Sequence, residues 1–244
     1  MVGKSGYIGR SILEYLDGNG YEVKGIGRSD TLPDAFSSDD CIINCACAGW
    51  RDGLDTAGDF EEIVDSNTLL PIRLHKRRNG AAMIHLASGS ERRGMDHIYP
   101  DTKRIASNYL YGKAHVLFLF TVFGGKYAQK DRFMQSLMRA CRDGTPYTII
   151  TPNHSRDFVH IDKLISVVES LLENKDYKTV QVGSGVPTTF WMALEHLRDI
   201  TGRDLSNVKV DYSDDSVYRY CADSPYLNDT LYDDMSLEWK RIHE

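Results

Sequence analysis

The sequence predicts an α/β fold: a Rossmann-like doubly wound parallel sheet followed by a smaller C-terminal α/β substrate lobe. Three observations carry that expectation. Near-continuous apolar runs of strand length, residues 40–46, 82–87 and 115–123, alternate with segments of helical period, as parallel strands buried on both faces require. Gly3, Gly6 and Gly9 lie at the start of the first helical segment, where small residues let the backbone approach a phosphate. Ser88 closes one apolar run and is followed by Tyr99-Pro100-Asp101-Thr102-Lys103, which puts a phenol and an ammonium one helical turn apart.

The elements follow in order. Ile8, Ile12, Leu13 and Leu16 recur at helical spacing, and Gly18-Asn19-Gly20 ends that helix. Residues 21–27 read as a strand that stops at Arg28-Ser29. Helices are expected over 64–77 and 102–110, between the apolar strands. The second half is more mixed, with helices over 133–142, 164–173 and 191–201 and strands over 148–151 and 179–182. We expect a dinucleotide-binding domain over 1–124 and a mostly substrate-binding lobe over 125–244, with 179–182 returning to the main sheet. Only Met1 and Val2 precede Gly3, whereas a dinucleotide fold launches its glycine loop from an apolar strand. The expectation is that this strand is encoded upstream, or that the chain binds cofactor poorly.

Composition narrows the function classes. The 244 residues carry a net charge of −6, and hydrophobic residues make up 41%, which is ordinary for a soluble globular protein. With no long basic run, neither nucleic acid nor an anionic membrane is expected as a partner. No apolar run reaches membrane-spanning length and no signal peptide is evident, so the expected location is cytoplasmic. Five cysteines form neither a disulfide framework nor a zinc pattern. Cys41, Cys45 and Cys47 read as small core residues in a reducing compartment, and no metal is expected.

Each motif has a rival. Gly3-Lys4-Ser5 also resembles the tail of a phosphate-binding P-loop, but such a loop runs straight into its helix, and here Gly6 and Gly9 follow. The Tyr-x-x-x-Lys spacing recurs at Tyr109 and Lys113. That copy contains Gly112 and ends just before a strand, where a helix finishes, so it reads as a helix end with a solvated lysine. Tyr99 instead opens a helix after a buried strand that ends in Ser88.

Taken together, these segments resemble the extended short-chain dehydrogenase/reductases, a family that includes NAD-dependent sugar-nucleotide epimerases and dehydratases. The resemblance rests on Gly3 to Gly9, on 40–46 as the adenine-side strand, on Leu86-Ala87-Ser88-Gly89-Ser90 and on Tyr99 to Lys103. It also rests on Val122-Phe123-Gly124 and, most specifically, on Arg156-Asp157-Phe158-Val159-His160-Ile161-Asp162. The resemblance implies Ser88, Tyr99 and Lys103 as catalytic residues. It implies cofactor contacts at Gly3, Ser5, Gly6, Tyr7, Ile8, Gly9, Asp40, Ala46, Tyr99, Lys103 and Phe120, and substrate contacts at Ser90, Thr121 and Arg156. The partner it implies is a nucleotide-sugar small molecule, and the family also allows a homodimer.

Departures from the family pattern are informative. Relatives usually run longer, and the 88–99 gap is shorter than theirs. Phe118 and Thr121 replace a common arginine and asparagine. Gly89 and Ser90 stand where dehydratases carry an Asp-Glu pair, and Glu91 lies one place beyond the glutamate that decarboxylases use. His160 is expected to be structural. For the cofactor, Arg28 and Ser29 at the end of the second strand suit a 2′-phosphate and favour NADP, while Asp30 would serve NAD.

The chemistry expected is hydride transfer at a carbinol or keto carbon of a nucleotide-linked sugar, by an epimerase or reductase. A tyrosine of ordinary pKa near 10 is a poor base at neutral pH. The charge of Lys103 favours phenolate, so Tyr99 can accept the hydroxyl proton while Ser88 donates to the same oxygen. A non-catalytic cofactor-binding sensor of the same fold is the competing class.

Overall fold

The computed structural model describes residues 1–49, 57–92, 98–223, 225–227 and 231–243. The chain divides into two compact units. The first comprises Met1–Leu119 with Ile165–Gln181, and the second Phe120–Leu164 with Val182–Glu244.

In the first unit, helix α1 (Tyr7–Gly18) precedes strand β1 (Cys41–Asn44). Then come α2 (Ala57–Val64), a π-helical turn (Asp65–Leu69) and α3 (Leu70–Arg77). Strand β2 (Ala82–Ser88), a 3₁₀ turn (Gly89–Arg92), α4 (Ile98–Leu110) and β3 (His115–Leu119) follow. Strands β1, β2 and β3 pair in parallel, with Cys41 opposite Ala82 and Ile84 opposite His115. A later strand, β8 (Thr179–Val182), completes the order β1-β2-β3-β8. The apolar runs form these strands because both faces are covered: Ile42, Met83 and Val116 pack with Leu74 and Leu110 in one core.

Val2 makes parallel bridges to both Ile26 and Asn44, so residues 1–2 lie between the 21–27 segment and β1. Its N–H donates to Ile43 O at 2.8 Å, and its carbonyl accepts from Cys45 N at 2.9 Å. In place of the strand expected over 21–27 there is a single parallel bridge, at Ile26 to Val2. The helix expected over 64–77 starts earlier, at Ala57, and contains the π turn. Pro71 explains the turn: it has no N–H to offer the carbonyl of Asn67, and the local ladder re-registers. Asn67 is buried there and bonds both the N–H (2.9 Å) and the carbonyl (3.1 Å) of Ala48.

The strand expected over 115–123 is two strands. β3 stops at Leu119, and β4 (Thr121–Phe123) belongs to the second unit. There β4 pairs in parallel with β7 (Phe158–His160); α6 (Ile161–Glu169) follows β7 in sequence, and its residues from Ile165 on belong to the first unit. β5 (Tyr147–Ile149) pairs with β10 (Val208–Val210), and β6 (Ser155–Arg156) lies between β9 (Thr188–Thr189) and β11 (Arg219–Tyr220). α5 (Phe133–Asp143), α7 (Phe190–Thr201) and α8 (Leu231–Arg241) close a core around Phe123, Met134, Leu137, Phe158, Leu194 and Met235. Thr189 caps α7 by accepting from Met192 N at 3.0 Å. Among the described residues no helix is long and apolar enough to cross a membrane, and no group of His, Cys, Asp and Glu is placed to hold a metal.

Candidate cofactor and catalytic site

The glycine loop is built by close backbone approach. Gly3 has φ +89°, and a Cβ there would meet Ala46 N at 2.6 Å. A Cβ on Gly9 would meet Gly3 O at 2.1 Å. Any side chain at either position would push the loop off β1 or off α1. Gly6 is the N-cap of α1 and places no capping side chain over the start of the helix, where the helix dipole favours an anion.

Beside the loop lies a cavity of about 430 Å³. Gly3, Ser5, Gly6, Arg28 and Ala46 line it, together with Asp30 and Cys47. Tyr7, Ile8 and Gly9 sit in the first turn of α1 and do not line it. Asp40 is not brought to this group. It precedes the amino end of β1, whereas Gly3 and Ala46 gather beyond the carboxyl end, and its carboxylate accepts from Ser37 N at 2.8 Å. The wall holds three ion pairs: Lys4 with Asp30 (2.6 Å), Arg28 with Glu62 (2.7 Å) and Arg73 with Asp65 (2.8 Å). Asp30 also accepts from Gly27 N at 2.8 Å, and these bonds, Lys4 first, hold its carboxyl below the usual range.

The proposed catalytic groups stand on β2 and α4. Lys103 is 2% exposed, and its ammonium donates to Leu86 O at 3.0 Å, two residues before Ser88. Tyr99 is one turn earlier on α4, and its hydroxyl lies 3.7 Å from Sγ of Cys47, which lines the cavity. Ser88 Oγ is 2.8 Å from Ser90 Oγ. Tyr109, near the other end of α4, is 3.3 Å from His75 Nδ1, and Lys113 Nζ sits 4.3 Å over its ring.

Glu91 is a residue the sequence reading set aside. It is 3% exposed, and its Oε1 accepts the Ser88 N–H at 2.6 Å. Burial pushes its carboxyl up, opposed by the charge of Lys103 and by the bond from the Ser88 N–H. The only signal in the sequence was a glutamate three residues after the serine, out of register with the family's acidic position. Cys47 corrects another expectation, since it is exposed rather than core. Cys41 and Cys45 are pushed up to about 12 by burial and stay thiols.

In the second unit, Arg156 stacks over Tyr218 (4.6 Å) and Phe190 (5.4 Å). Phe120 packs on Tyr220 at 5.1 Å, and Thr121 N donates to Asp157 O at 2.9 Å. His160 is 1% exposed, edge-on to Phe123 at 5.4 Å, with Nε2 3.2 Å from Glu238.

A family model described as NAD dependent epimerase/dehydratase family matches residues 1–183, about three quarters of the chain. The chain belongs to that family of enzymes. Solved structures share its fold. MoeE5 in complex with UDP-glucose and NAD aligns at TM-score 0.74 and 18% identity, covering 99% of this chain and 98% of that one. UDP-glucuronic acid 4-epimerase from Bacillus cereus, in complex with UDP-glucuronic acid and NAD, aligns at 0.71 and 17%, covering 99% and 98%. UDP-N-acetylglucosamine 4-epimerase from Methanobrevibacter ruminantium M1 aligns at 0.74 and 16%, covering 99% and 96%. The glycine contacts and the cavity fit the dinucleotide of this NAD-dependent family.

Proposed function

We propose that the protein interconverts epimers of a UDP-linked sugar by NAD-dependent hydride transfer at a carbinol carbon. The observation that carries the reading is the placement of Tyr99 and Lys103 on α4, with Lys103 tied to β2 two residues before Ser88 and Tyr99 against the cavity-lining Cys47. Bound NAD supplies the hydride acceptor. Gly3 and Gly6 hold its diphosphate by backbone approach, and the Asp30 carboxylate suits its ribose hydroxyls. Tyr99 takes the substrate's hydroxyl proton and returns it after the hydride comes back to the other face. Ser88 donates to the same oxygen, and Lys103 favours the phenolate by its charge. Arg156, Thr121 and Ser90 serve the nucleotide sugar. Arg156 suits the diphosphate, because a guanidinium pairs well with phosphate oxygens.

NADP is the second reading for the cofactor, favoured by Arg28 in the cavity wall. Reduction with exchange of cofactor is the second outcome for the chemistry. The reading also takes the enzyme as cytoplasmic, without nucleic-acid or membrane partners, in keeping with the net charge of −6. The test is incubation with NAD and UDP-glucose, UDP-glucuronic acid or UDP-N-acetylglucosamine, followed by mass spectrometry and NMR of the sugar. An epimer of unchanged mass is expected. Loss of water would overturn the branch, since Gly89 and Ser90 provide no acid and base for elimination.

A further inference from the structure

We infer that Glu91 is a positioning residue for the catalytic serine: its buried carboxyl group holds the backbone of Ser88 in the 3₁₀ turn after β2 and so aims the Ser88 hydroxyl. This role rests on Ser88 being the donor to the substrate oxygen, as proposed above.

The turn Gly89–Arg92 begins directly after Ser88, the last residue of β2. The start of such a turn leaves N–H groups that it cannot itself satisfy. Ser88 and Glu91 take part in meeting that need. Ser88 N donates to Glu91 Oε1 at 2.6 Å, and Ser90 N donates to Ser88 Oγ at 3.3 Å. The pattern is that of a capped helix start, where a glutamate three places on reaches back to the N–H of the capping serine.

Burial sets this pair apart from an ordinary cap. Glu91 is 3% exposed, and its Oε2 has no hydrogen-bond partner among the described residues. A cap works equally well at the surface, where the carboxylate stays in water, so capping does not explain a carboxyl held at this cost. The charges of Lys103 and Arg104, both on α4, reach Glu91. Their described bonds go elsewhere: Lys103 donates to Leu86 O at 3.0 Å, and Arg104 to Asp101 and to the backbone carbonyl of Glu91. The described bond of the Glu91 carboxyl is the one from Ser88.

The end of β2 is thereby gripped twice, at Leu86 O by Lys103 and at Ser88 N by Glu91. Ser88 Oγ lies 2.8 Å from Ser90 Oγ and also accepts from Ser90 N. When Ser90 Oγ donates, Ser88 Oγ accepts twice from residue 90, and its own proton is left for the substrate oxygen. Glu91 does not line the cavity beside the glycine loop, so its loss should act on rate and not on cofactor affinity.

Amide hydrogen exchange by NMR and steady-state kinetics with NAD and a UDP-sugar test this. The full chain is compared as wild type, Glu91→Leu, Glu91→Gln, Ser88→Ala and the double variant Ser88→Ala with Glu91→Leu. The Ser88 amide should exchange slowly in wild type. Glu91→Leu should speed that exchange and lower kcat about tenfold or more, with KM and NAD affinity within about twofold, because a misplaced reacting group is felt in the transition state. Glu91→Gln keeps a carbonyl acceptor at the same reach and should restore slow exchange and most of the rate. In the Ser88→Ala background, Glu91→Leu should cost nothing further, since no hydroxyl is left to aim. Equal losses in both backgrounds, as a role in the fold alone would give, or full activity in Glu91→Leu, would overturn the assignment. If Glu91→Leu does not fold, an unprotected Ser88 amide in wild type or a tenfold loss in Glu91→Gln overturns it instead. Wild-type turnover in Ser88→Ala, or no turnover of any UDP-sugar by wild type, would sink the reading of Ser88 and the role of Glu91 with it.

Discussion

Gly9→Ala isolates the backbone approach on which cofactor binding depends. The added Cβ would stand 2.1 Å from Gly3 O and 3.0 Å from Gly3 C. Ordinary carbon contacts lie near ~3.5 Å, so the loop must retreat by about 1 Å. Gly3 cannot retreat freely, because its own missing Cβ marks a 2.6 Å approach to Ala46 N. Overpacking of this kind costs roughly 1–3 kcal/mol. Gly9 is the third residue of α1, where alanine gains about 1 kcal/mol over glycine. The net destabilisation is then about 0–2 kcal/mol. The larger effect falls on binding. A loop moved by about 1 Å misplaces N–H donors to the diphosphate, and each such charged bond is worth about 1.5–3 kcal/mol, or roughly 10- to 100-fold in affinity. Thermal unfolding and fluorescence titration with reduced cofactor measure the two effects. Gly18→Ala is the control: it lies at the end of the same helix with nothing within 4 Å of the added Cβ, and should leave binding unchanged. Wild-type affinity in Gly9→Ala, or equal losses in both variants, would refute the reasoning.

Two further predictions concern charge. Arg28→Ala should weaken NADP binding by about 1.5–3 kcal/mol if Arg28 holds a 2′-phosphate, and leave NAD binding nearly unchanged. Its ion pair with Glu62 is exposed and adds about 0–1 kcal/mol to stability at most, so thermal unfolding should barely move. Glu91→Gln should stabilise the fold at neutral pH, because burial raises the carboxyl above its ordinary value. The sign follows from linkage: with the folded value above the unfolded one, wild-type stability falls as pH rises through that interval. The variant's advantage should therefore shrink to nothing as pH drops below the ordinary carboxylate range. A pH-independent difference in unfolding temperature would contradict this.

The main sheet was legible because its strands carry their own signal. Residues 82–87 and 115–119 are buried throughout and apolar but for His85 and His115, as strands covered on both faces need. The break at Phe120 was not legible, since Phe118 to Phe123 reads as one apolar run and the change of sheet is set by pairing with β7. The small strands β6, β9 and β11 are two residues each, too short for any period to show. Helix α8 escaped because its inward residues, Asp234, Met235 and Glu238, include two carboxylates that bury only by finding Lys163, His160 and Gly125. At the candidate site, Tyr99, Lys103 and Ser88 were singled out by spacing, and the structure ties Lys103 to the carbonyl of Leu86, two residues before Ser88. Asp40 misled because it adjoins the right strand at the wrong end. Glu91 was hidden because its role comes from burial beneath Ser88, which no local pattern encodes.

The most direct test of the central claim compares Tyr99→Phe, Lys103→Met and Tyr109→Phe in one assay with a UDP-sugar that wild type turns over. The account expects Tyr99→Phe to lose about 10²-fold or more in turnover while remaining folded. It expects Lys103→Met to lose activity and to shift the pH optimum upward, because the phenol loses the charge that favours its ionised form. Tyr109→Phe should stay near wild type, since its hydroxyl is engaged with His75 at the far end of α4. An active Tyr99→Phe beside an inactive Tyr109→Phe would contradict the account.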